Sequence, residues 1–418
     1  MKNFNWLTPL LFLSLPLHAE QKNLTLNTCY DQALKTDETL RRLQENIVQA
    51  NQRARAALGG ALPFLSWNWQ GTRQDEGHLP DSAGGFLEKS QVESKISLDQ
   101  SLFSGLREFS ARAGFKREEA RNALILTRAK GDLFDRVAQA FYDVVSLESA
   151  RFNTDTVLEL TESRVKEIQS FLKLGKAKDS ELYSAQSAVA SVKAERVKLL
   201  GNIRAAREEL SYQIGLPVDD RLLVLSTNPL VNNSLDVFLR QSHHRSDLNA
   251  QREEVAAQRL RIRYEKGAYW PNARLLGNYY TQRPKAMDSV DWDLMLMLNV
   301  PFYQGGAVSA RVREAESLLR QSEDEYVRLE RRIHADVRKA YAQWRASDEE
   351  SQAREEATQA ARLSYEAQTK EYRLGLVTNL DVLQALRTFY QEKRAWDDAL
   401  IETQRKYVSL LIVTEAQP

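Results

Sequence analysis

The stretch EYRLGLVTNLDVLQA, residues 371–385, interrupts a long run of helix-forming residues with Gly375 and then resumes helical patterning. The earlier stretch FLKLGKAKDSELYSA, residues 171–185, has Gly175 at the matching position. Glycine reaches the left-handed conformation that ends a helix without the steric cost of a Cβ atom. The sequence therefore predicts two similar helix–turn–helix reversals, 200 residues apart.

A second set of landmarks repeats in the same order. Pro63 precedes the segment FLSWNW, and Pro271 precedes NARLLGNYY. LFSG, residues 102–105, matches FYQG, residues 302–305. The two prolines are 208 positions apart and the later landmarks are 200 apart, so the first half has eight extra residues between proline and LFSG. The chain is therefore a tandem duplication with one variable loop.

The first residues resemble a secretory signal peptide. Lys2 precedes an apolar stretch from Trp6 to Leu17, and the small residue Ala19 follows it. We expect cleavage after Ala19 and export of the mature chain. A membrane anchor is the alternative, but the apolar stretch is short and contains two prolines. No later stretch approaches the roughly 20 apolar residues that a membrane-spanning helix needs.

The composition bears on the classes of partner and chemistry. The 418 residues include 58 basic and 57 acidic ones, for a net charge of +1, so nothing indicates a nucleic-acid partner. The single cysteine, Cys29, permits no intrachain disulfide and is expected to be an unreactive, half-buried thiol. It lies too far along the chain to be a lipidated N-terminal cysteine.

Motifs for catalysis or cofactor binding do not emerge from the sequence. It has no phosphate-binding glycine loop, nucleophile elbow or paired-carboxylate pocket, so we expect no enzyme activity, no catalytic residue and no cofactor. The pair His243-His244 suggests a metal site, but adjacent residues of a helix point to different faces and no further histidine or cysteine clusters nearby. We expect a solvated helix start there and no metal site.

Each half has the same plan. It opens with a helical segment, roughly 25–61 and 235–268, and continues with two segments of period-two alternation, which is typical of strands with one apolar face. Strands are predicted at about 64–74, 91–102, 273–282 and 289–300, with loops at 75–89 and 283–289. The predicted domains are the signal peptide 1–19, a first repeat 20–215, a connecting segment 216–234 and a second repeat 235–418.

A long helix follows each strand pair. Gly105 and Gly175 are 70 positions apart, as are Gly305 and Gly375, and neither interval contains proline. At 1.5 Å per residue, each interval spans about 100 Å of helix. Apolar residues recur at spacings of three and four, which is the seam of coiled-coil-like packing. The seam residues are Leu133, Val137, Phe141 and Val144 in the first helix, and Leu329, Ile333, Val337, Tyr341 and Trp344 in the second.

The four strands have the length of transmembrane β-strands, about ten residues each. Four strands do not close a barrel, and open sheet edges are not stable in lipid, so several chains have to contribute strands. Six aromatic residues in or beside the strands fit an interfacial belt: Trp67, Trp69, Trp270, Tyr279, Tyr280 and Trp292. A soluble sandwich core that uses the same aromatic residues is the alternative.

Together these features resemble the TolC family of outer-membrane efflux proteins, over essentially the whole mature chain. The ordered set carries the resemblance: a signal peptide, duplicated halves, a proline before the first strand, LF-x-G after the second, and a glycine turn followed by D-V-L-x-A. The resemblance implies a mainly α fold with a β-barrel portion. It implies a homotrimer whose twelve-stranded barrel in outer-membrane lipid continues into a twelve-helix periplasmic tunnel, with 216–234 as the equatorial connection.

The resemblance also implies a function. The duct passively conducts substrates from an inner-membrane RND or ABC transporter, coupled through a periplasmic adaptor (membrane fusion protein), in tripartite efflux or type I secretion. The two tips are the expected adaptor-docking positions, with residues Leu174, Gly175, Leu374, Gly375 and Leu376. Two alternatives are a periplasmic adaptor or coiled-coil scaffold without a barrel, and a periplasmic enzyme with helical arms.

The resemblance assigns three residues to the periplasmic entrance. Asp381 corresponds to an aspartate that forms an acidic ring, although its position in the first turn of a helix is itself a sufficient reason for a carboxylate. Tyr372 corresponds to a tyrosine that closes the entrance, and Glu181 takes the place of its acidic partner. The chain departs from the family at Val377, where a basic partner is expected, and at Gln384, where a second ring aspartate is expected. Closure is thus expected to rest on fewer polar links, and cation block to be weaker.

Overall fold

The structure, a computed structural model, describes residues 24–73, 90–218, 222–223, 234–284 and 289–415. The expected signal peptide and the expected loop 75–89 lie outside the described residues, as does most of the connecting segment 216–234.

Eight α-helices account for most of the described chain, and the long ones reproduce the duplication. Helices α3 and α7 each have 67 residues, and α4 and α8 each have 36. The helices are α1 (Leu26–Thr36), α2 (Glu38–Gly59), α3 (Arg107–Lys173), α4 (Asp179–Ile214), α5 (Leu235–Ser242), α6 (Ser246–Lys266), α7 (Ala307–Arg373) and α8 (Asn379–Thr414). The members of each long pair begin 200 positions apart, as the landmarks predicted.

The opening helical segment of each half is broken, whereas the sequence predicted one continuous helix. In the first half, the carboxylate of Asp37 accepts a hydrogen bond of 2.7 Å from the backbone N–H of Leu40, which starts a new helix at Glu38. In the second half, α5 ends at Ser242 and α6 begins at Ser246. The Arg245 guanidinium between them donates to Asp247 at 2.6 Å and to the carbonyl oxygen of Val413 at 2.9 Å.

The four strands form one antiparallel sheet in the order β1-β2-β3-β4. Their bounds are Phe64–Arg73, Ser90–Phe103, Asn272–Gln282 and Trp292–Asn299. The fourth strand begins at Trp292, three residues later than the alternation suggested. β1 and β4 are the edge strands of the sheet within this chain.

The two faces of the sheet differ in chemistry. On one face a row of hydrogen bonds crosses all four strands. Asn68 donates to Ser97 at 3.1 Å, Ser97 donates to Asn278 at 2.8 Å, and Asn278 donates to Asp293 at 2.8 Å. The opposite face carries exposed apolar side chains, which include Leu65, Trp67, Trp69, Tyr279, Leu294, Leu296 and Leu298. Alternating side chains along each strand produce this division.

The described chain divides into two compact units, and each unit takes segments from both sequence repeats. One consists of the described parts of 1–36, 136–228 and 350–405, and the other of 37–135, 229–349 and 406–418. The second unit holds the sheet and an aromatic core in which the Trp344 ring lies 5.5 Å from Tyr407 and 5.7 Å from Tyr341, between ring centroids. Phe238, Val337, Ala340 and Leu410 also belong to this core.

The predicted helix seams are buried at most positions. Leu133, Val137, Phe141, Val144, Ile333, Val337 and Trp344 are buried, and Leu329 and Tyr341 are partly buried. Cys29 is fully buried, which is more than the half-burial expected from the sequence, and burial raises the pKa of its thiol to about 11. Among the described residues, no helix combines the length and the apolar character of a membrane span.

Candidate functional site at the helical tips

Both reversals predicted from glycine are present and have the same backbone geometry. Gly175 and Gly375 adopt φ angles of 72° and 76°. At the first turn, the N–H of Gly175 donates to the Leu172 carbonyl at 3.0 Å and the N–H of Lys176 donates to Phe171 at 2.8 Å. This pair of hydrogen bonds defines a Schellman motif, which caps the last carbonyls of a helix.

The second turn, after α7, repeats the motif. The N–H of Gly375 donates to Tyr372 at 2.9 Å, and the N–H of Leu376 donates to Glu371 at 3.0 Å. A Cβ atom at either tip glycine would meet no atom within 4 Å in the described chain. The left-handed φ angle, and not crowding, is therefore the reason for glycine at both turns.

The leucines at the tips are exposed. Leu174 exposes 67% of its surface, Leu374 exposes 74% and Leu376 exposes 71%. Clusters of exposed large apolar side chains are typical of surfaces that contact other proteins. The second tip presents two such side chains, beside Gly375.

Asp381 lies in the first turn of α8 and completes a capping box. Its carboxylate accepts hydrogen bonds from the Thr378 backbone N–H at 2.8 Å and from the Thr378 hydroxyl at 2.6 Å. Both hydrogen bonds lower the pKa of Asp381 below its usual value, and the bond from the hydroxyl has the larger effect. The carboxyl group is exposed, and it is ionised at neutral pH.

Tyr372 lies in a cluster of side chains from three helices of the same compact unit. Its ring stacks under the Arg164 guanidinium, 3.8 Å from ring centroid to carbon, and lies 6.2 Å from the ring of Phe171. Glu181 lies close enough to the Tyr372 hydroxyl to raise its pKa, so the two residues that the resemblance paired are neighbours. Burial is the main factor that raises the pKa of Tyr372, and Glu181 adds to it while Arg164 opposes it.

Arg164 is the residue of this cluster that the sequence did not indicate. It is buried in α3, where its Nε donates to Asn379 at 2.8 Å and a terminal nitrogen donates to Glu167 at 2.6 Å. Asn379 is the first residue of α8, so Arg164 connects the first hairpin to the start of the last helix. A comparison of the two repeats gives a weak signal for a role that is specific to Arg164, because the equivalent position in the second half, 364, is serine.

A groove of about 440 Å³ lies farther from the turns in the same unit. Its lining combines α3, α4 and α8 and includes Gln384, Arg387 and three serines of α4, namely Ser184, Ser187 and Ser191. Gln384 is the position at which the resemblance led us to expect a second ring aspartate. The lining of the groove is mostly apolar, and Gln384 adds no charge to it.

The histidine pair has a different environment from the tips. The ring of His243 packs edge-on against His334, with 5.1 Å between the ring centroids, and its Nδ1 lies 4.0 Å from a Glu330 carboxylate oxygen. Across the described parts of the chain, no group of three histidine, cysteine, aspartate or glutamate side chains is arranged to hold a metal ion.

The sequence model described as "Outer membrane efflux protein" matches residues 241–411. The matched segment, which lies in the second half of the chain, is thus similar to the outer membrane efflux protein family. It is 25% identical over 284 residues to the Proteases secretion protein PrtF of Dickeya chrysanthemi, in a match that covers 63% of this chain and 60% of PrtF. It is 25% identical over 368 residues to the Pyoverdine export outer membrane protein OpmQ of Pseudomonas putida, with 81% of this chain and 75% of OpmQ covered.

The fold of this chain is found in solved structures. The outer membrane protein VceC of Vibrio cholerae superimposes with a TM-score of 0.78 at 18% identity, over 93% of this chain and 94% of VceC. This likeness confirms the mainly α, duplicated fold class with a small sheet that the sequence predicted. The sequence match over residues 241–411 and the likeness of the fold to an outer membrane protein agree with the predicted family and location.

Proposed function

We propose that this protein is the outer-membrane duct of a tripartite efflux or type I secretion system. Three copies assemble around one axis, and their sheets together form a twelve-stranded barrel in outer-membrane lipid. The helices continue as a tunnel into the periplasm. Substrates pass through passively from an inner-membrane RND or ABC transporter, and a periplasmic adaptor couples the two.

The exposed apolar face of the four-stranded sheet is the main support for this proposal. Trp67, Leu296 and Leu298 project from it, while the opposite face holds the hydrogen-bonded row that begins at Asn68 and ends at Asp293. A sheet with one apolar and one polar face fits a wall between lipid and an aqueous channel. Three chains supply the strand number that one chain lacks.

Native mass measurement and single-channel recording of the detergent-purified protein test the duct. We expect a trimer as the main species, precipitation when detergent is removed, and ion-conducting channels in planar bilayers. A detergent-independent monomer without conductance would contradict the proposal. That result would favour the alternative of a periplasmic adaptor or coiled-coil scaffold, which the family match and the fold do not favour.

We propose that the two tips are the surface to which the adaptor docks. Leu174 and Gly175 form the first tip, and Leu374, Gly375 and Leu376 form the second. Their exposed leucines on rigid Schellman turns support this role, because an apolar contact gains most when the contacting side chains are already positioned. Site-specific cross-linking from the tips, followed by identification of the attached protein, would also name the adaptor and the pump.

We further propose that Tyr372, Glu181 and Arg164 hold the entrance closed and that Asp381 forms an acidic ring there. Arg164 contributes through its stacking on Tyr372 and its hydrogen bond to Asn379, which tie the start of α8 to the first hairpin. No step in this role needs a catalytic residue or a cofactor, and we propose that the protein is not an enzyme. The energy for transport comes from the inner-membrane pump.

A further inference from the structure

The edge strands β1 and β4 each lack a neighbour on one side within the described sheet. We propose that β4 of one chain pairs antiparallel with β1 of a second copy, so that Leu298 lies opposite Trp69 and Asn299 lies opposite Asn68 of the second copy. Just beyond β4, Gly305 packs against Gly59 of the second copy. This inference rests on the proposed trimeric duct and specifies how its chains meet.

The two hairpins of the sheet have the same register. β1 and β2 pair Ser66 with Ser97, and β3 and β4 pair Arg274 with Met297. Residues before the variable loop shift by 208 positions between the halves, and residues after it shift by 200. These shifts carry each pair from Phe64↔Asp99 to Gly71↔Val92 onto an observed pair of the second hairpin. The repeats are thus structurally equivalent, residue by residue.

The contact between β2 and β3 joins the hairpin of the first repeat to the hairpin of the second. There, Leu98 pairs with Gly277 and Asp99 pairs with Leu276. The next junction of the same kind joins β4 to the β1 strand of another copy. Applying the same shifts to the observed pairs gives the proposed register, which also places Met297 opposite Gln70 of the second copy.

The faces of the sheet agree with this register. Residues directly opposite one another in antiparallel strands lie on the same face. Leu298 and Trp69 both lie on the exposed apolar face, at 68% and 60% exposure. Asn68 bonds to Ser97 on the polar face, and Asn299 shares that face because it lies six residues after Asp293. A slip of one residue would place Leu298 opposite a polar side chain.

A close contact between two glycine backbones also supports this junction. A Cβ atom at Gly267 would lie 2.7 Å from the carbonyl oxygen of Gly105, and a Cβ atom at Gly105 would overlap the carbonyl of Gly267. Glycine at both positions therefore lets two backbones touch where the repeats meet. The shifts carry Gly105 to Gly305 and Gly267 to Gly59, and Cβ atoms at these two positions would meet no atom within 4 Å in the described chain. The backbone that approaches them belongs to the second copy.

Oxidative cross-linking of double-cysteine variants tests the register. Asn299→Cys with Asn68→Cys, and Leu298→Cys with Trp69→Cys, place cysteines within disulfide reach across the proposed junction. We expect copper phenanthroline to convert most of either variant into a covalent trimer on a denaturing gel. The matched control, Asn299→Cys with Gln70→Cys, is two residues out of register and should cross-link far less. Buried Cys29 stays in place, because its raised pKa keeps it unreactive.

The outcomes separate this inference from the proposed function. Efficient cross-linking of the control, or none in either in-register variant, while native mass still gives a trimer, would overturn the register and leave the duct intact. A monomer by native mass and no cross-linking would overturn both.

Gly59→Ala tests the glycine contact independently. Alanine is a better helix former than glycine, so within one chain this change stabilises the end of α2. We expect the heat resistance of the detergent-solubilised trimer to fall while the monomer keeps its helical circular dichroism. Gly114→Ala, at another helical glycine with open space around it, is the matched control. A Gly59→Ala trimer as heat-resistant as the wild type would overturn the contact.

Discussion

At the scale of single residues, Arg164 and Tyr372 define the chemistry of the second tip. The guanidinium stacks on the phenol ring and bonds to Asn379, while the phenol hydroxyl faces Glu181. The stacking contact and the neighbouring Glu181 thus act on different parts of Tyr372, and substitutions can separate them. Together with the Arg164–Asn379 hydrogen bond, these two contacts connect α3, α4, α7 and α8 within one compact unit.

Arg164→Met should loosen the second tip. It removes the cation–π contact and leaves Asn379 without its buried charged donor, and a hydrogen bond to a charged group contributes about 1.5–3 kcal/mol. We expect faster hydrogen exchange across residues 371–385 and a higher single-channel conductance. Lys166→Met, on the exposed surface of the same helix, is the control and should change neither. Unchanged exchange in the Arg164 variant would contradict this role.

Tyr372→Phe should have a smaller effect than Arg164→Met. The ring and its stacking on Arg164 remain, and only the hydroxyl contact with Glu181 is lost. Because the pKa of Tyr372 is raised, its phenol stays protonated and able to donate until the pH exceeds the ordinary tyrosine value of about 10. Wild-type closure should therefore weaken only above that pH, and the Phe variant should show no such step in conductance. A variant that keeps the step would assign it to another group.

At the scale of elements, the sequence predicted most of the architecture because its signals are local. Gly175 and Gly375 adopt a left-handed φ with no atom crowding them, and the 70-residue intervals that precede them contain no proline to interrupt a long helix. The break at Asp37 was missed because an aspartate within a helical pattern starts a new helix only when its side chain bonds back to Leu40. Arg164 was missed for a related reason, since its partners Asn379 and Tyr372 lie more than 200 positions away in sequence.

Gly375→Val should distort the second reversal. A left-handed conformation costs about 1–2 kcal/mol at a non-glycine residue and more at a β-branched one. Trimers should still reach the outer membrane, while cross-linking of the tip to the adaptor and export both decline. Gly375→Asn is the control, because asparagine tolerates the left-handed conformation and the site has room for a side chain. If the Val variant exports and cross-links like the wild type, this turn is not part of the docking surface.

At the scale of the whole molecule, the duplication explains why one chain has two tips and two hairpins that are alike but not identical. The same shifts of 208 and 200 relate the hairpin registers, and the shift of 200 relates the long helices. The chemistry, in contrast, differs between the halves: Tyr372, Thr378 and Asp381 at the second tip correspond to Leu172, Lys178 and Glu181 at the first. Repetition in the sequence predicts the scaffold that the two halves share. The positions at which the repeats differ indicate the side chains that are specific to one tip.

The proposed acidic ring is a property of the assembly. Three copies of Asp381 around a threefold axis would concentrate negative potential in a narrow opening, where low-dielectric walls focus the field. Trivalent cation added from the periplasmic side should therefore obstruct the single-channel current in planar bilayers. Because Gln384 is neutral, the block should depend on this one ring and should weaken as salt rises and screens each charge. Asp381→Asn should abolish most of the block while the trimer persists.

The pH dependence of this block separates the ring from the capping role of Asp381. Hydrogen bonds from Thr378 lower the pKa of Asp381, so the carboxylate stays charged at neutral pH and loses its charge only as the pH falls through that lowered value. The cation block should accordingly persist from neutral pH down to about pH 4, the ordinary range of an aspartate, and disappear below it. Gln384→Asn, a neutral change one turn away, should leave both the block and its pH dependence unaltered. If the wild-type current is indifferent to the cation, or the Asp381→Asn channel is as sensitive as the wild type, Asp381 acts only as the helix cap that its bonds to Thr378 describe.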